Sequence, residues 1–394
     1  MSQIEPLSPA VPQDEVDRLW RKLEDTRIPK DPIVPDAGED YGPSIEWIHK
    51  LYNIWLNDYN WPTAAEKINS WHHYTTELEG LRIHFVHERA DTSSSSKPVI
   101  PLLLVHGWPG SFYEFSRVIG PLTNPSSTSD PAFDVVVPSL PGYCWSQGPP
   151  RGFTLQDTAR IFDQLMKRLG YGRYVAQGGD WGHWVVRELG ARYSDSCVAL
   201  HTNLCPTAPP PGEEPNEQER ISEGRMKWFT GEPGNETHMA YAIAMRTRPQ
   251  TIGVAFSDNP VGIMMWVGEK YNEITDPSLK DLQNKRFNHD VLTTICLYYF
   301  TSPSIMTSML SYYNNVRHEE YVEFDTKEEN YIKAPFAFSS FRWDIGPTSE
   351  RAVARTGNLK WYKWRDYGGH FAALETPDEL VSDLREFFPQ WYGQ

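Results

Sequence analysis

The sequence is poor in cysteine and has nothing to organise the few it holds. Cys144, Cys197, Cys205 and Cys296 are the only four in 394 residues. Their spacing fits neither a metal site nor a disulfide framework, so a reducing compartment is expected. Basic charge is short as well: 37 Lys and Arg stand against 52 Asp and Glu, a net charge of −15. No basic tract offsets that excess, which argues against a nucleic-acid or anionic-membrane partner. A run of about 18 apolar residues occurs nowhere, so no segment reads as a membrane span. The opening MSQIEPLSPAVPQDEVDRLW lacks a basic stretch followed by an apolar one, and neither end carries a lipidation motif. The expectation is a soluble, cytoplasmic chain with no membrane anchor, no metal and no cofactor. Tryptophan, by contrast, is plentiful at 15 residues, most of them expected to serve packing.

The length allows two or three structural blocks, and no internal repeat divides them. Residues 1 to about 75 are rich in Trp, Pro and acidic residues, with helical patterning in QDEVDRLWRKLEDT and SIEWIHKLYNIWLNDY. Strand signals follow: LRIHFVHE (81–88) alternates, while VIPLLLVHG (99–107) and FDVVVPSLPG (133–142) are continuous apolar runs. SFYEFSRVIGPL, between the last two, has a 3.6-residue apolar period. Thr154 is placed to cap a helix over TLQDTARIFDQLMKRLG; YVAQGG then reads as a strand and WGHWVVRELGARY as a helix. Buried strands alternating with amphipathic helices predict an α/β fold, a mostly parallel sheet covered on both faces. From the Pro-rich CPTAPPPGEEP onward the rhythm turns helical. It resumes with NYIKAPFAFS (330–339) and KWYKW (360–364), and TPDELVSDLREFF is expected as the closing helix. The predicted blocks are an N-terminal extension over 1–95, a first core part over 96–204, a helical cap or lid over 205–325 and a second core part over 326–394.

One stretch, YVAQGGDWGHWVV, sets a lone carboxylate at a strand-to-helix turn crowded with glycine. Such a turn is the geometry of a nucleophile elbow, in which strain lifts one side chain clear of the backbone. The usual G-x-S-x-G is absent, and Asp180 takes the central position. As an isolated residue, Asp180 could equally be a helix N-cap. Three features favour the elbow. His106-Gly107-Trp108-Pro109 follows a buried strand and can aim the Trp108 N–H at the elbow as an oxyanion donor. His370 follows Gly368-Gly369 after the last strand. Asp344 lies just beyond the preceding strand, where it can orient a histidine. The order Asp180, Asp344, His370 is the nucleophile–acid–histidine order of α/β-hydrolases.

A carboxylate is ionised at neutral pH, so it attacks without a base. Attack on an acyl group yields an anhydride and gains little. Attack on an alkyl carbon bearing a leaving group yields an ester that histidine-activated water can hydrolyse, with the Trp108 and Trp181 N–H groups holding the oxyanion. The leaving atom is then an epoxide oxygen, which needs a tyrosine proton, or a halide, which needs only N–H donors. Tyr241, Tyr312, Tyr313 and Trp266 all lie in the insertion and leave both open.

PLLLVHGWPGSFYEF, VVPSLPGYCWS, QGGDWG, AYAIAMRTRPQTIG, WVGEKY, FAFSSFRWD and GGHFAALETP, in that order, resemble the α/β-hydrolase-fold epoxide hydrolases of the microsomal-like branch, including soluble fungal members. The resemblance spans almost the whole chain. It implies Asp180 as nucleophile, His370 as base, Asp344 as its orienting acid and Tyr241 as a ring-opening acid. A second tyrosine is implied at Tyr312, with Tyr313 the alternative. The oxyanion loop matches His106-Gly107-Trp108-Pro109. Two departures stand out: His183 occupies a position where a small Ser is common, and the membrane anchor of some relatives is missing. The resemblance implies an epoxide and water as reactants and a vicinal diol as product, and the many aromatic residues near the lid point to a small apolar epoxide. A haloalkane-type dehalogenase, an epoxide-opening cyclase and a catalytically silent binding protein are the alternatives. A homodimer is compatible with the sequence.

Overall fold

The computed structural model describes residues 3–93, 95–232, 237–279, 284–301, 303–315 and 324–393. Nine strands among them form one sheet: β1 (Glu5–Pro6), β2 (His73–Leu78), β3 (Leu81–Glu88), β4 (Ile100–Val105), β5 (Phe133–Pro138), β6 (Tyr174–Gly178), β7 (Cys197–Thr202), β8 (Ile332–Phe341) and β9 (Gly357–Arg365). Their order across the sheet is β1-β2-β3-β5-β4-β6-β7-β8-β9. Pairings from β5 to β9 are parallel, and β1, β2 and β3 add antiparallel strands at one edge. This is the expected α/β sheet. Every residue of β4 and β6 is buried, as expected where helices cover both faces.

The chain leaves β4 toward β5 on one side and leaves β6 toward β7 on the other. Loops after these neighbouring strands diverge, and a crevice opens at their C-terminal ends, the usual ligand position in such sheets. Asp180 and the His106–Pro109 loop stand there.

Several local expectations need correction. SFYEFSRVIGPL is not one helix but a 3₁₀ turn, Phe112–Arg117, followed by a short helix, Ile119–Thr123. Its apolar residues share a face, but the segment turns too tightly to continue. LRIHFVHE alternates in sequence, yet five consecutive residues from Ile83 are buried, because its polar members pair internally. Strands β1, β2 and β7 carry no strong periodic signal. The β2–β3 hairpin closes through Glu79-Gly80, a two-residue turn with both residues at positive φ. Pro389–Tyr392 adds a helical turn after the expected closing helix, Pro377–Phe387. Thr154 does cap its helix, in a reciprocal capping box with Asp157.

Among the described residues between β7 and β8 the regular structure is helical. Helices Gln13–Asp25, Ile45–Asn57 and Trp61–Asn69 at the other end of the chain pack largely on that helical segment. Arg18 binds Tyr299 at 3.0 Å and the Asp258 carboxylate; Tyr59 meets Thr293 and the Trp61 ring lies on Phe300. Behind the core loop, Arg117 and Tyr113 converge on the buried carboxylate of Asp290.

Buried imidazoles join the antiparallel edge to the parallel core. His73 Nε2 lies 2.9 Å from Ile68 O, His73 Nδ1 lies 2.9 Å from His84 Nε2, and His84 Nδ1 lies 2.8 Å from Ser139 Oγ. With every ring nitrogen engaged, an added proton sets two N–H groups against each other. Burial lowers both imidazole pKa values, and it also lowers those of His87, His106 and His201 to about 4. The unfolded chain titrates them near 6.5, so unfolding takes up protons in the interval below that value. Their stabilising contribution is therefore complete above about pH 6.5 and is lost as pH falls toward 4. The melting temperature should drop by several degrees between pH 7 and pH 5 in a calorimetric series; a flat profile would contradict this account.

Candidate active site

The path of the backbone at the end of β6 decides where the carboxylate points. Asp180 adopts φ 49° and ψ −131° between that strand and helix Trp181–Arg192, a conformation that costs a non-glycine residue energy. Glycines let the bend close. A Cβ on Gly182 would lie 2.1 Å from Val105 O, and one on Gly178 would lie 2.5 Å from Gly182 O. Asp180 makes no capping bond to its own helix, so helix capping does not account for the residue.

Its carboxylate turns instead toward the loop after β4. Trp108 N donates to Asp180 Oδ1 at 2.7 Å. Trp181 opens the elbow helix, where first-turn N–H groups have no intrahelical acceptor and the dipole is positive. His106 holds the Trp108 loop: its Nε2 accepts from Leu140 N, which leaves Nδ1–H to donate to Gly107 O at 2.9 Å. Gly107 presses so closely on Asp180 that a Cβ there would sit 2.1 Å from Oδ1. The Trp108–Pro109 peptide is cis.

His370 reaches the other oxygen. Its Nε2 is 3.3 Å from Asp180 Oδ2 and its Nδ1 is 2.6 Å from Asp344 Oδ1. Burial opposes a charge on His370, but Asp344 and Asp180 together outweigh it and raise the imidazole pKa well above its usual value. Above the carboxylate lie the tyrosines. Tyr241 stacks on Trp108 with ring centroids 5.1 Å apart, and Tyr312 sets its ring edge-on to both Trp108 and Trp181. The two tyrosine rings lie edge to face with centroids 5.8 Å apart, and burial is the main cause that pushes both phenol pKa values upward. The structure thus gathers Asp180, Asp344, His370, Tyr241, Tyr312, Trp108 and Trp181, with His106, Gly107 and Pro109 in the supporting loop.

His183 points away from this group. Fully buried, it lies 2.8 Å from Thr202 Oγ1 and 3.3 Å from Asp325 Oδ2. His183, Cys205 and Asp325 place potential ligand atoms within 4.8 Å of one another, but the Arg187 guanidinium, 3.1 Å from Asp325, already supplies the positive charge there.

Other contributors were not legible in the sequence. Arg225, from helix Glu217–Thr230, donates to the carbonyls of Asp344 and Trp343 and so ties the Asp344 loop to the insertion. Asp276 accepts from Gly368 N, and Ile274 O accepts from His370 N; together they brace the His370 loop. Glu114 and Glu375 stand close enough to feel the His370 charge, and burial lifts their carboxyl pKa values to about 8 and about 7. Glu114 and Glu375 fall within PLLLVHGWPGSFYEF and GGHFAALETP, whereas Arg225, Ile274 and Asp276 lie outside every quoted stretch; residue order showed none of these contacts.

A nine-stranded sheet with a carboxylate elbow, an acid-held histidine and an N–H donor from the loop after β4 defines an enzyme of the α/β-hydrolase fold. Comparison with known proteins agrees and narrows the class. Residues 100–238 match the family profile described as alpha/beta hydrolase fold, and residues 4–115 match the one described as Epoxide hydrolase N terminus. Epoxide hydrolase 1 of Sus scrofa is 30% identical over 408 residues, covering 98% of this chain and 88% of that protein. The solved epoxide hydrolase of Aspergillus niger is 35% identical, with a TM-score of 0.85 over 99% of this chain and 97% of its own. The juvenile hormone epoxide hydrolase structure from Bombyx mori shares the fold at 24% identity, with a TM-score of 0.81 over 99% and 94%. The chain belongs to the epoxide hydrolase family. It is a hydrolase acting on epoxides, and no helix among the described residues is long and apolar enough to cross a membrane.

The close approach of Gly107 gives a test. Gly107→Ala should displace the Asp180 carboxylate and cut epoxide turnover by at least about 100-fold, the scale of a misplacement of order 1 Å. Circular dichroism should show the fold retained, and turnover near the parent level would contradict the stated contact.

Proposed function

We propose that Asp180 is the nucleophile and that the enzyme turns a small apolar epoxide into a vicinal diol through a covalent ester. The observation that carries this reading is the division of the Asp180 carboxylate, with Oδ1 bound by Trp108 N–H and Oδ2 beside His370. Oδ2 bonds to an epoxide carbon as the carbon–oxygen bond opposite breaks. The departing oxygen takes a phenolic proton from the Tyr241–Tyr312 pair. Oδ1 remains at the Trp108 N–H as the ester carbonyl.

Ester formation removes the Asp180 charge, one of the groups that keep His370 protonated. His370 releases its proton, the phenolate regains one, and the imidazole becomes a base. Water adds to the ester carbonyl carbon and gives a proton to Nε2 while negative charge forms on Oδ1. The Trp108 and Trp181 N–H groups stabilise that charge. Collapse of the tetrahedral intermediate expels the diol oxygen, which takes the proton from His370. The regenerated Asp180 carboxyl then returns its proton to the imidazole, and the cycle closes as epoxide plus water to diol.

Asp344 keeps Nδ1 protonated so that Nε2 faces the ester. Helices between residues 205 and 325 act as a cap over the reacting atoms, with residues 1–95 as an extension braced against it. The rings of Trp108, Trp181, Tyr241 and Tyr312 favour an apolar substrate.

Single turnover in ¹⁸O-water with enzyme in excess should yield first-cycle diol whose new oxygen is unlabelled, the label appearing in Asp180 by peptide mass analysis. Label in the first-cycle diol would mean direct hydration. His370→Gln should accumulate the alkyl-enzyme in denaturing mass spectrometry and slow diol release by at least about 100-fold.

A further inference from the structure

Lys270 lies on helix Pro260–Glu273 with 1% of its surface exposed. Burial of an ammonium is costly and calls for partners. Nζ finds Glu269 Oε1 at 2.8 Å, Glu273 Oε2 at 2.6 Å and His238 O at 3.4 Å. It also stands over the Tyr241 ring, 4.5 Å from the centroid, the ring on which Trp108 stacks. Ion pairing alone would be met at the surface by so long a side chain; here the charge is brought inside, against the face of one particular phenol.

A cation over an aromatic face is held by the electron density of the ring. As the phenol gives up its proton, that density rises and the attraction strengthens. An interaction stronger in the transition state than in the ground state accelerates the step in which it changes. We propose that Lys270 is a positioning residue for ring opening, its ammonium holding the Tyr241 ring in place and favouring the phenolate left when the epoxide oxygen takes the proton. The inference rests on the reading of Tyr241 as a proton donor. Glu269 and Glu273 act the other way, since their negative charge disfavours a phenolate; Glu273 is shared with His238 Nδ1 at 2.9 Å.

Rapid-quench single turnover separates ester formation from ester hydrolysis and can be applied to Lys270→Met, Lys270→Arg and Glu273→Gln in parent and Tyr241→Phe backgrounds, with styrene oxide as probe. Lys270→Met should slow ester formation about 10- to 30-fold, the scale of a desolvated cation–π contact, and leave ester hydrolysis within about twofold. The same change in Tyr241→Phe should slow ester formation no further. Lys270→Arg should recover most of the rate. Glu273→Gln keeps the ammonium and removes an opposing charge, so it should form ester at least as fast as the parent, and it remains informative if Lys270→Met does not fold. A Lys270→Met effect of equal size in the Tyr241→Phe background, or one confined to hydrolysis, overturns the inference, as does slower ester formation in Glu273→Gln. An unchanged rate in Tyr241→Phe alone would defeat the underlying reading instead.

Discussion

The site hangs on one backbone conformation. Asp180 is held in a region of φ and ψ that side chains avoid, and the surrounding contacts leave it no other choice. Gly182 lies against Val105 O and Gly178 lies against Gly182 O, so strands β4 and β6 and the elbow helix meet at separations only glycine permits. The strain is local and the support is the whole centre of the sheet, which explains why a rigid parallel core accompanies the bend. Once the bend is set, the carboxylate has one direction to point, and Gly107 and Trp108 N are waiting there.

Electrostatics then give the two oxygens of that carboxylate different surroundings. Oδ1 meets an N–H group and Oδ2 meets an imidazole that is itself held by a second carboxylate. In a buried setting such interactions are far stronger than in water, and two carboxylates outweigh the cost of burial and hold the His370 pKa well above its usual value. The proposed chemistry needs that balance to change during turnover. Neutralising Asp180 as an ester does so without any movement of the protein, since one of the charges that hold the proton has gone.

The loops that carry Asp344 and His370 are not left to the core alone. Arg225 grips the carbonyls of the Asp344 loop, and Ile274 and Asp276 brace the His370 loop, all from the helical segment between β7 and β8. That segment also brings Tyr241 and Tyr312 above Asp180 and sets Lys270 over the Tyr241 ring. The N-terminal helices in turn bind it through Arg18, Tyr59 and Trp61. The extension thereby restrains the helical segment that holds these tyrosines over the elbow.

Local chemistry made much of this visible in the chain. Continuous apolar runs announced the central strands, a capping pattern announced the helix after Thr154, and the glycines around Asp180 and before His370 marked where the backbone must do something unusual. Those signals are short-range, so residue order was enough to carry them. Strands β1 and β2 of the antiparallel edge, the tight turn after β4, the partners of His183 and the contributions of Arg225, Asp276, Glu114 and Lys270 were decided only in three dimensions. Their meaning depends on which charge or ring lies a few ångströms away across hundreds of residues of chain, and periodicity holds no record of that. The sequence by itself determined the central strands, the bend and the residue types that can react; tertiary packing decided which oxygen of Asp180 faces which partner, and which buried cation faces a phenol, because distances between remote segments exist only once the core has closed.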